Sequence, residues 1–535
     1  MASVAVDRAG RISLVAAAQR IVGLRIALIS AVFAIWAIRF IQRTSFIAID
    51  GHRYYNLFDD AMISMRYAWN FAHGQGLVWN PGQHVQGYTN LLMTLYMSLG
   101  ALVLNKVAAV VLIQVSGLFF LFACASLTMG IASSLCEDHT PRLRTTCLVL
   151  AFAAPLAYYP LDFWSLMGME TGLLAVLLLG ATLGALRGAR PGVVGTLLGL
   201  AFMTRPDALI PAAIILGYVW LTNPTVRRAR LLLDSLVLIA FVLGVTGFQL
   251  WYYHAPVPNT YTLKATGMPL GLRLHNGWGF VRIYLADTWP FYAVAILGVL
   301  RRPQPERLLL LALPLSALLY QVYIGGDPWP YWRMMSPTMP LLLVLVLDTV
   351  ARVPLREPTR IVATALLAAT LLAISDVRFA PEITFQQTAY HVKEDGGDAN
   401  IGLALAAISK PGASIAVISA GAIAYYSGLR AIDILGKSDV YIAHLAPDLS
   451  GSIAWSGMTS VPGHNKYDLR YSILRLRPTY TQVLRFGHQD IRRQASMYRW
   501  YDYHGVWMIL DRTSRLVRWR MLTPVSRQLT QASAG

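Results

Sequence analysis

Long apolar runs recur along the chain, from "IVGLRIALISAVFAIWAIRFI" (21–41) to "IVATALLAATLLAISDV" (361–377), and short polar gaps separate them. A bilayer core of roughly 30 Å takes about 20 apolar residues in a helix. The pattern predicts eleven membrane spans, near 21–41, 107–135, 145–160, 171–186, 192–204, 206–221, 231–253, 289–300, 306–322, 335–350 and 360–376. Those at 192–204 and 289–300 are short for a bilayer. The first run is too long for a removed signal peptide and lacks a small-residue cleavage site.

Charge sets the orientation. Arginines gather in alternate gaps, at Arg142/Arg144, Arg187/Arg190, Arg227/Arg228/Arg230, Arg301/Arg302/Arg307 and Arg352/Arg356/Arg360, with Arg8, Arg11 and Arg20 at the N-terminus. Cytoplasmic loops carry such an excess of cations. The chain is therefore expected in the plasma membrane with its N-terminus cytoplasmic. A crossing by "TNLLMTLYMSLGALVLN" (89–105) would put every later cluster on the wrong side, so this segment is expected to lie as a juxtamembrane or re-entrant helix.

Beyond residue 376 the pattern changes to short, alternating apolar runs such as "SKPGASIAVISAGAIAYYSGLRAIDILG". Those are signs of a mixed α/β domain, and the threading puts it outside the membrane. The aromatic stretch "YRWYDYHGVWMILDR" reads as antiparallel strands. The expected architecture is a polytopic α-helical membrane domain, 1–376, whose first outer loop spans 42–106, followed by an extracytoplasmic mixed α/β domain, 377–535.

Composition agrees: of 535 residues, 56% are hydrophobic and only 13% charged, with a mean hydropathy of +0.50. The net charge of +18 is mostly the topology signal, not a nucleic-acid footprint. Cys124, Cys136 and Cys147 lie in or beside apolar helices and offer no disulfide framework and no CxxC site. No phosphate-cradling glycine loop and no dinucleotide fingerprint is present, so neither a nucleotide nor a nucleic acid is expected.

The polar residues in the outer segments carry the chemistry. Asp59 and Asp60 open "FDDAMISMRYAWNFAHG". One can cap the helix and the other complement its dipole; equally, the pair can be reactive carboxylates. Arg205 and Asp207 flank Pro206 at a break deep in apolar sequence, where ionisable groups are costly and point to function. Glu170, Lys264, Asp327, Arg333, His464 and Lys466 fall in other outer segments. Together they suit a water-shielded site in which Arg and Lys pair with a phosphate. An Asp can then take a proton from a hydroxyl. Trp69, Trp79, Trp329, Tyr331 and Trp332 suit sugar stacking, or, for most of them, an interfacial aromatic belt.

An acid pair in the first outer loop of a multi-span chain with an outer C-terminal domain resembles the GT-C glycosyltransferases, which draw sugars from polyprenyl phosphates. More narrowly, "FDDAMISMRYAWNFAHGQGLVWNPGQHVQGYTN", "LMGMETGLL", "GLAFMTRPDALI", "PVPNTYTLK", "GGDPWPYWRMMSP", "IDILGKSDVYIAH" and "PGHNKYD" resemble the actinobacterial arabinofuranosyltransferases that add terminal β-(1→2) arabinose to the arabinan of arabinogalactan and lipoarabinomannan. The resemblance implies Asp59 as the catalytic carboxylate acting on the acceptor hydroxyl, with Asp60 supporting it or binding the acceptor. It implies Arg205, Lys264 and Arg333 for the donor phosphate, and Glu170, Asp207, Asn259, Asp327, His464, Lys466 and Tyr467 for the substrates. The implied donor is decaprenyl-phosphoryl-arabinofuranose and the implied acceptor a cell-wall glycan. Related transferases use other acceptors, and a transporter of lipid-linked sugars is the rival class. A divalent cation on Asp59 and Asp60 is compatible but not required.

Overall fold

The computed structural model of the chain describes residues 2–222, 227–453 and 456–525. The eleven expected spans correspond to eleven helices. They are α1 (Ala2–Arg43), α4 (Lys106–Leu135), α5 (Pro141–Ala153), α7 (Thr171–Leu186), α8 (Val193–Thr204), α9 (Leu209–Thr222), α10 (Arg227–Tyr253), α12 (Leu270–Arg301), α13 (Pro305–Ile324), α14 (Met339–Ala351) and α15 (Glu357–Asp376). Among the described residues, six helical segments are long and apolar enough to cross a membrane unaided: Val22–Arg43, Lys106–Leu135, Ala229–Tyr253, Leu270–Arg301, Pro305–Ile324 and Glu357–Ile383. The other five, α5, α7, α8, α9 and α14, have 12 to 16 residues and fall short of that length. The run read as a short span at 289–300 is the second half of the 32-residue α12, whose polar first half masked the helix in the hydropathy pattern.

Three helices precede or interrupt the spans: α2 (Asp59–Ala72), α3 (Leu91–Val103) and α6 (Tyr159–Leu166). Helix α3 has 13 residues; at 1.5 Å per residue it reaches about 20 Å, too short to cross the core. Helices α6 and α7 meet at a bend of 118°. The turn brings α6 against α4 at Gly117, where an added Cβ would stand 2.1 Å from the Ser165 carbonyl oxygen. A further short helix, α11 (Asn259–Ala265), lies in the α10–α12 connection.

The C-terminal region holds a six-stranded mixed sheet, in the order Thr523–Pro524, Tyr498–Tyr503, Val506–Asp511, Tyr480–Thr481, Ser414–Val417, Arg430–Asp433. The aromatic stretch forms the antiparallel hairpin, with Tyr498 opposite Asp511 and Tyr503 opposite Val506. Ser414–Val417 pairs in parallel with both of its neighbours.

This region is seated on the loop between α1 and α3 by buried polar contacts. Arg66 of α2 donates to the carbonyls of Trp79 (2.6 Å), Leu429 (2.7 Å) and Ala424. Asn80 exchanges two hydrogen bonds with the backbone of Ala431, at 2.8 and 3.0 Å. Trp79 donates to the Ala420 carbonyl at 3.2 Å. An interfacial belt is therefore the wrong reading for two of the tryptophans. Trp79 and Trp332 are each 2% exposed, sealed inside the protein where they cannot meet lipid.

Candidate active site

Helix α2 begins at the acid pair, but neither acid caps it. The N-cap is Phe58, which has no capping side chain, and both acids lie in the first turn. Consecutive helical residues point about 100° apart, so the two carboxylates diverge. Asp59, 9% exposed, accepts the backbone N–H groups of Gly421 (3.1 Å) and Ala422 (2.9 Å), at the start of the short helix Ala422–Ser427. Residue 421 must be glycine for this approach, since an added Cβ would stand 2.1 Å from the Asp59 carbonyl oxygen. Burial pushes the Asp59 carboxyl up, against the pull of Lys437 and the two amides.

Asp60 turns the other way, into a cavity of about 580 Å³. Its Oδ1 accepts from the Lys437 ammonium at 2.6 Å and its Oδ2 from Arg333 Nη1 at 2.9 Å, with Trp329 Nε1 at 3.3 Å. Burial opposes its ionisation, but Lys437 and then Arg333 hold this carboxyl well below the usual range. For Lys437 burial again opposes the charge, and Asp60 more than compensates, so the ammonium is raised.

Two loops present these cations. Arg333 ends the Gly325–Arg333 segment, where it is clamped by Asp327 through Nε (2.5 Å) and Nη2 (3.1 Å). Gly325, Gly326, Tyr331 and Trp332 of that segment all have positive φ. Positive φ is costly for a bulky residue and is retained where the surroundings demand it. Lys437 sits on the loop after the Arg430–Asp433 strand. The Asp433 carboxylate accepts the N–H groups of Leu435 (3.0 Å), Gly436 (3.1 Å) and Ser438 (2.7 Å), closing the loop on itself. Asn259 holds it from outside, donating to the carbonyls of Gly436 (2.9 Å) and Lys437 (3.1 Å).

At the far wall, Arg205 lies at the end of α8, bridging Glu170 Oε1 (2.8 Å) and Asp207 Oδ1 (2.9 Å). Asn90 donates to the other Glu170 oxygen at 3.0 Å. Lys264 and Arg273 also line the cavity. Neither has an ion-pair partner among the described residues, although Arg273 lies over the Tyr323 ring at 5.0 Å. Burial, and then repulsion from Arg333, pushes the Lys264 ammonium down to about 8.

The structure thus brings Asp60, Glu170, Arg205, Asp207, Lys264, Asp327 and Arg333 around one cavity. Five expected residues stand outside its lining: Asp59, Asn259, His464, Lys466 and Tyr467. Asn259 acts through the Lys437 loop. His464 is packed edge-on against Trp329, with centroids 5.7 Å apart, and burial followed by Lys437 repulsion pushes its imidazole down to about 3. Lys466 bonds Thr266 Oγ1 (2.7 Å) and the Ala443 carbonyl (2.8 Å). Tyr467 is tied to Asp448 and to His488 Nδ1. Those two contacts are internal ties of the C-terminal region. Sequence reasoning passed over Lys437 and Arg273; the quoted "IDILGKSD" held the first, and nothing marked the second.

A divalent cation does not fit the acid pair in this arrangement. The Asp60 oxygens face an ammonium and a guanidinium, and those of Asp59 face backbone N–H groups. Two carboxylates aimed apart, and already compensated, are a poor cage for a hard cation.

Comparison with solved structures gives the architecture a name. The ArnT of Cupriavidus metallidurans, bound to undecaprenyl phosphate, superposes at a TM-score of 0.51 with 12% identity, over 76% of this chain and 85% of that one. The Archaeoglobus fulgidus oligosaccharyltransferase in complex with Zn and sulfate gives 0.51 with 11% identity, over 90% and 73%. The AglB oligosaccharyltransferase of the same organism, with an inhibitory peptide and a dolichol-phosphate, gives 0.51 with 10% identity, over 94% and 76%. The chain has a GT-C fold. A family model described as a domain of unknown function, DUF8728, matches residues 381–516 of this GT-C chain, within its C-terminal region. No curated protein matches the sequence.

Proposed function

We propose that the chain is a polyprenyl-phosphate-dependent glycosyltransferase, moving an arabinofuranosyl unit from decaprenyl-phosphoryl-arabinofuranose to an arabinan acceptor at the outer face of the plasma membrane. One observation carries the reading. Two unpaired cations, Lys264 and Arg273, stand in the same cavity as the Asp60–Arg333–Lys437 cluster. Half-buried cations without an ion-pair partner favour an anion that joins them. A lipid phosphate is such an anion, and the neighbouring GT-C structures with undecaprenyl phosphate and dolichol-phosphate favour it over a free one.

In the proposed step the acceptor hydroxyl oxygen bonds to the anomeric carbon while the bond from that carbon to the phosphate oxygen breaks. The electron pair leaves on decaprenyl phosphate, where Lys264, Arg333 and Lys437 meet the growing charge. Asp60 takes the hydroxyl proton. The arriving phosphate competes for Lys437 and Arg333, weakening the pairs that hold Asp60 ionised and raising its basicity. The role that the family resemblance gave to Asp59 thus passes to its neighbour, and Asp59 serves to anchor the C-terminal region. Glu170, Asp207 and Asp327 fix the cations and orient sugar hydroxyls.

The test is transfer by purified protein from polyprenyl-phosphoryl-arabinofuranose to a short arabinan, with the product linkage read by mass spectrometry and NMR. Arabinan lengthened by one residue supports the proposal. Donor left intact in the presence of arabinan, or its movement across vesicles without cleavage, overturns it.

A further inference from the structure

The opposite end of the bundle holds a second cluster, unrelated to the cavity. Arg307 near the start of α13 and Tyr323 near its end are separated by roughly 25 Å of helix, and the cluster lies at the Arg307 end. Cys136 caps the C-terminus of α4, His139 sits in the turn that follows, and Cys147 lies on α5. Asp348 comes from α14. The Cys136 thiol interacts with both Cys147 and His139. The ligand atoms of Cys136, His139 and Asp348 all fall within 4.8 Å of one another, the only such group among the described residues.

The His139 imidazole is the decisive member. Its side chain is 5% exposed, yet its Nε2 has no hydrogen-bond partner. It points at Asp348 Oδ1 from 3.8 Å. Asp348 does not need it as a counter-ion, because Arg307 and Arg352 each reach that carboxylate at 2.7 Å. A carboxylate has about four lone-pair sites, so two remain open. A buried ring nitrogen without a hydrogen-bond partner, beside a thiol and a carboxylate, has the donors of a metal site.

We propose that Cys136, His139 and Asp348 bind a zinc-type divalent cation. One sulfur, one imidazole nitrogen and one carboxylate oxygen are ligands that zinc takes, and three of them leave a fourth position. Bonds of 2.0–2.1 Å put tetrahedral N and O ligands roughly 3.3 Å apart, close to the 3.8 Å of the His139–Asp348 pair. On binding, the Cys136 thiol gives its proton to solvent and becomes a thiolate. The ion ties the α4–α5 turn to the end of α14, beside the small apolar cluster of Cys136, Leu143, Cys147 and Ala351 and the hydrogen bond from Arg352 to the Leu135 carbonyl at 2.7 Å.

The test is the zinc content of full-length protein, purified in detergent with its affinity tag removed and exchanged into buffer containing micromolar zinc, then desalted. Wild type is expected to keep about one equivalent, and His139→Gln and Cys136→Ser at least about fivefold less. Asp60→Asn, in the remote cavity, is expected to keep its zinc, which separates this proposal from the transferase reading. Since a core variant can misfold, each is scored only as a monodisperse peak. Cobalt loading of wild type is expected to give the charge-transfer absorption of a thiolate–metal bond, lost in Cys136→Ser. Wild type without zinc, variants with undiminished zinc, or cobalt loading without that absorption would each overturn the site.

Discussion

Asp60 and Lys437 meet at 2.6 Å although 377 positions separate them in the chain. This contact joins the first turn of α2 to a loop of the C-terminal sheet and closes one wall of the cavity. It also makes the C-terminal region part of the site, not an appended module.

The contact makes a first prediction. Asp60→Asn removes the proposed base and one partner of both Arg333 and Lys437. Transfer (kcat/KM) is expected to fall by about 10²-fold or more, in the range seen for loss of general-base catalysis. Lys437→Gln is expected to lower kcat and also raise donor KM, because its ammonium is the proposed partner of the phosphate both before and during departure. The measurement is steady-state kinetics at several donor concentrations, and undiminished kcat/KM in Asp60→Asn or an unchanged donor KM in Lys437→Gln would contradict the assignment.

A second prediction concerns the anchor. Gly421→Ala forces a Cβ onto the Asp59 backbone and is expected to cost about 1–3 kcal/mol, the usual range for overpacking a tight contact. Differential scanning fluorimetry and limited proteolysis of the C-terminal region check it. An unchanged melting curve would mean that Asp59 does not hold the region in place.

A third follows from Lys264, whose ammonium is pushed down to about 8. The charged form is the one proposed to bind the phosphate, so donor affinity is expected to weaken as pH rises through about 8. In Lys264→Arg, which stays charged at that pH, the dependence should vanish. A donor-binding titration from pH 6.5 to 9.5 reads both proteins.

A fourth concerns stability. Asp395 is 1% exposed, and burial pushes its carboxyl up to about 7. His391, which Asp395 faces at 3.4 Å, is also raised, against the opposing pull of burial. Other charges facing the pair are Glu394, Asp59 and Asp398. In both groups the folded state holds protons that the unfolded chain releases, so stability is full at low pH and is lost as pH rises toward 7 and above. Asp395→Asn is expected to raise the melting temperature by about 2 °C or more at pH 8 and to change it little at pH 4.

Much of this was legible because the bilayer imposes long apolar runs and places arginines on one side of them. The convergence of Arg205, Lys264, Asp327 and Arg333 on one cavity could be guessed because the arginine pattern assigned their segments to one expected side. The opposite directions of the Asp59 and Asp60 carboxylates could not, since they depend on how the helix is rotated against Gly421. Lys437 was hidden for a related reason: the Asp433 loop and Asn259 aim it at Asp60 in the first turn of α2, and no local pattern records that distance. The tryptophans misled because Trp79 has an apolar body suited to a membrane interface and a ring N–H suited to the buried Ala420 carbonyl. Composition does not distinguish the two uses.

The most direct measurement is an experimental structure of the protein with decaprenyl-phosphoryl-arabinofuranose bound, using Asp60→Asn to prevent turnover. The account predicts the phosphate within hydrogen-bond distance of Lys264, Arg333 and Lys437, with the sugar turned toward residue 60. A phosphate seated elsewhere on the bundle, with this cavity left to its own ion pairs, would contradict it.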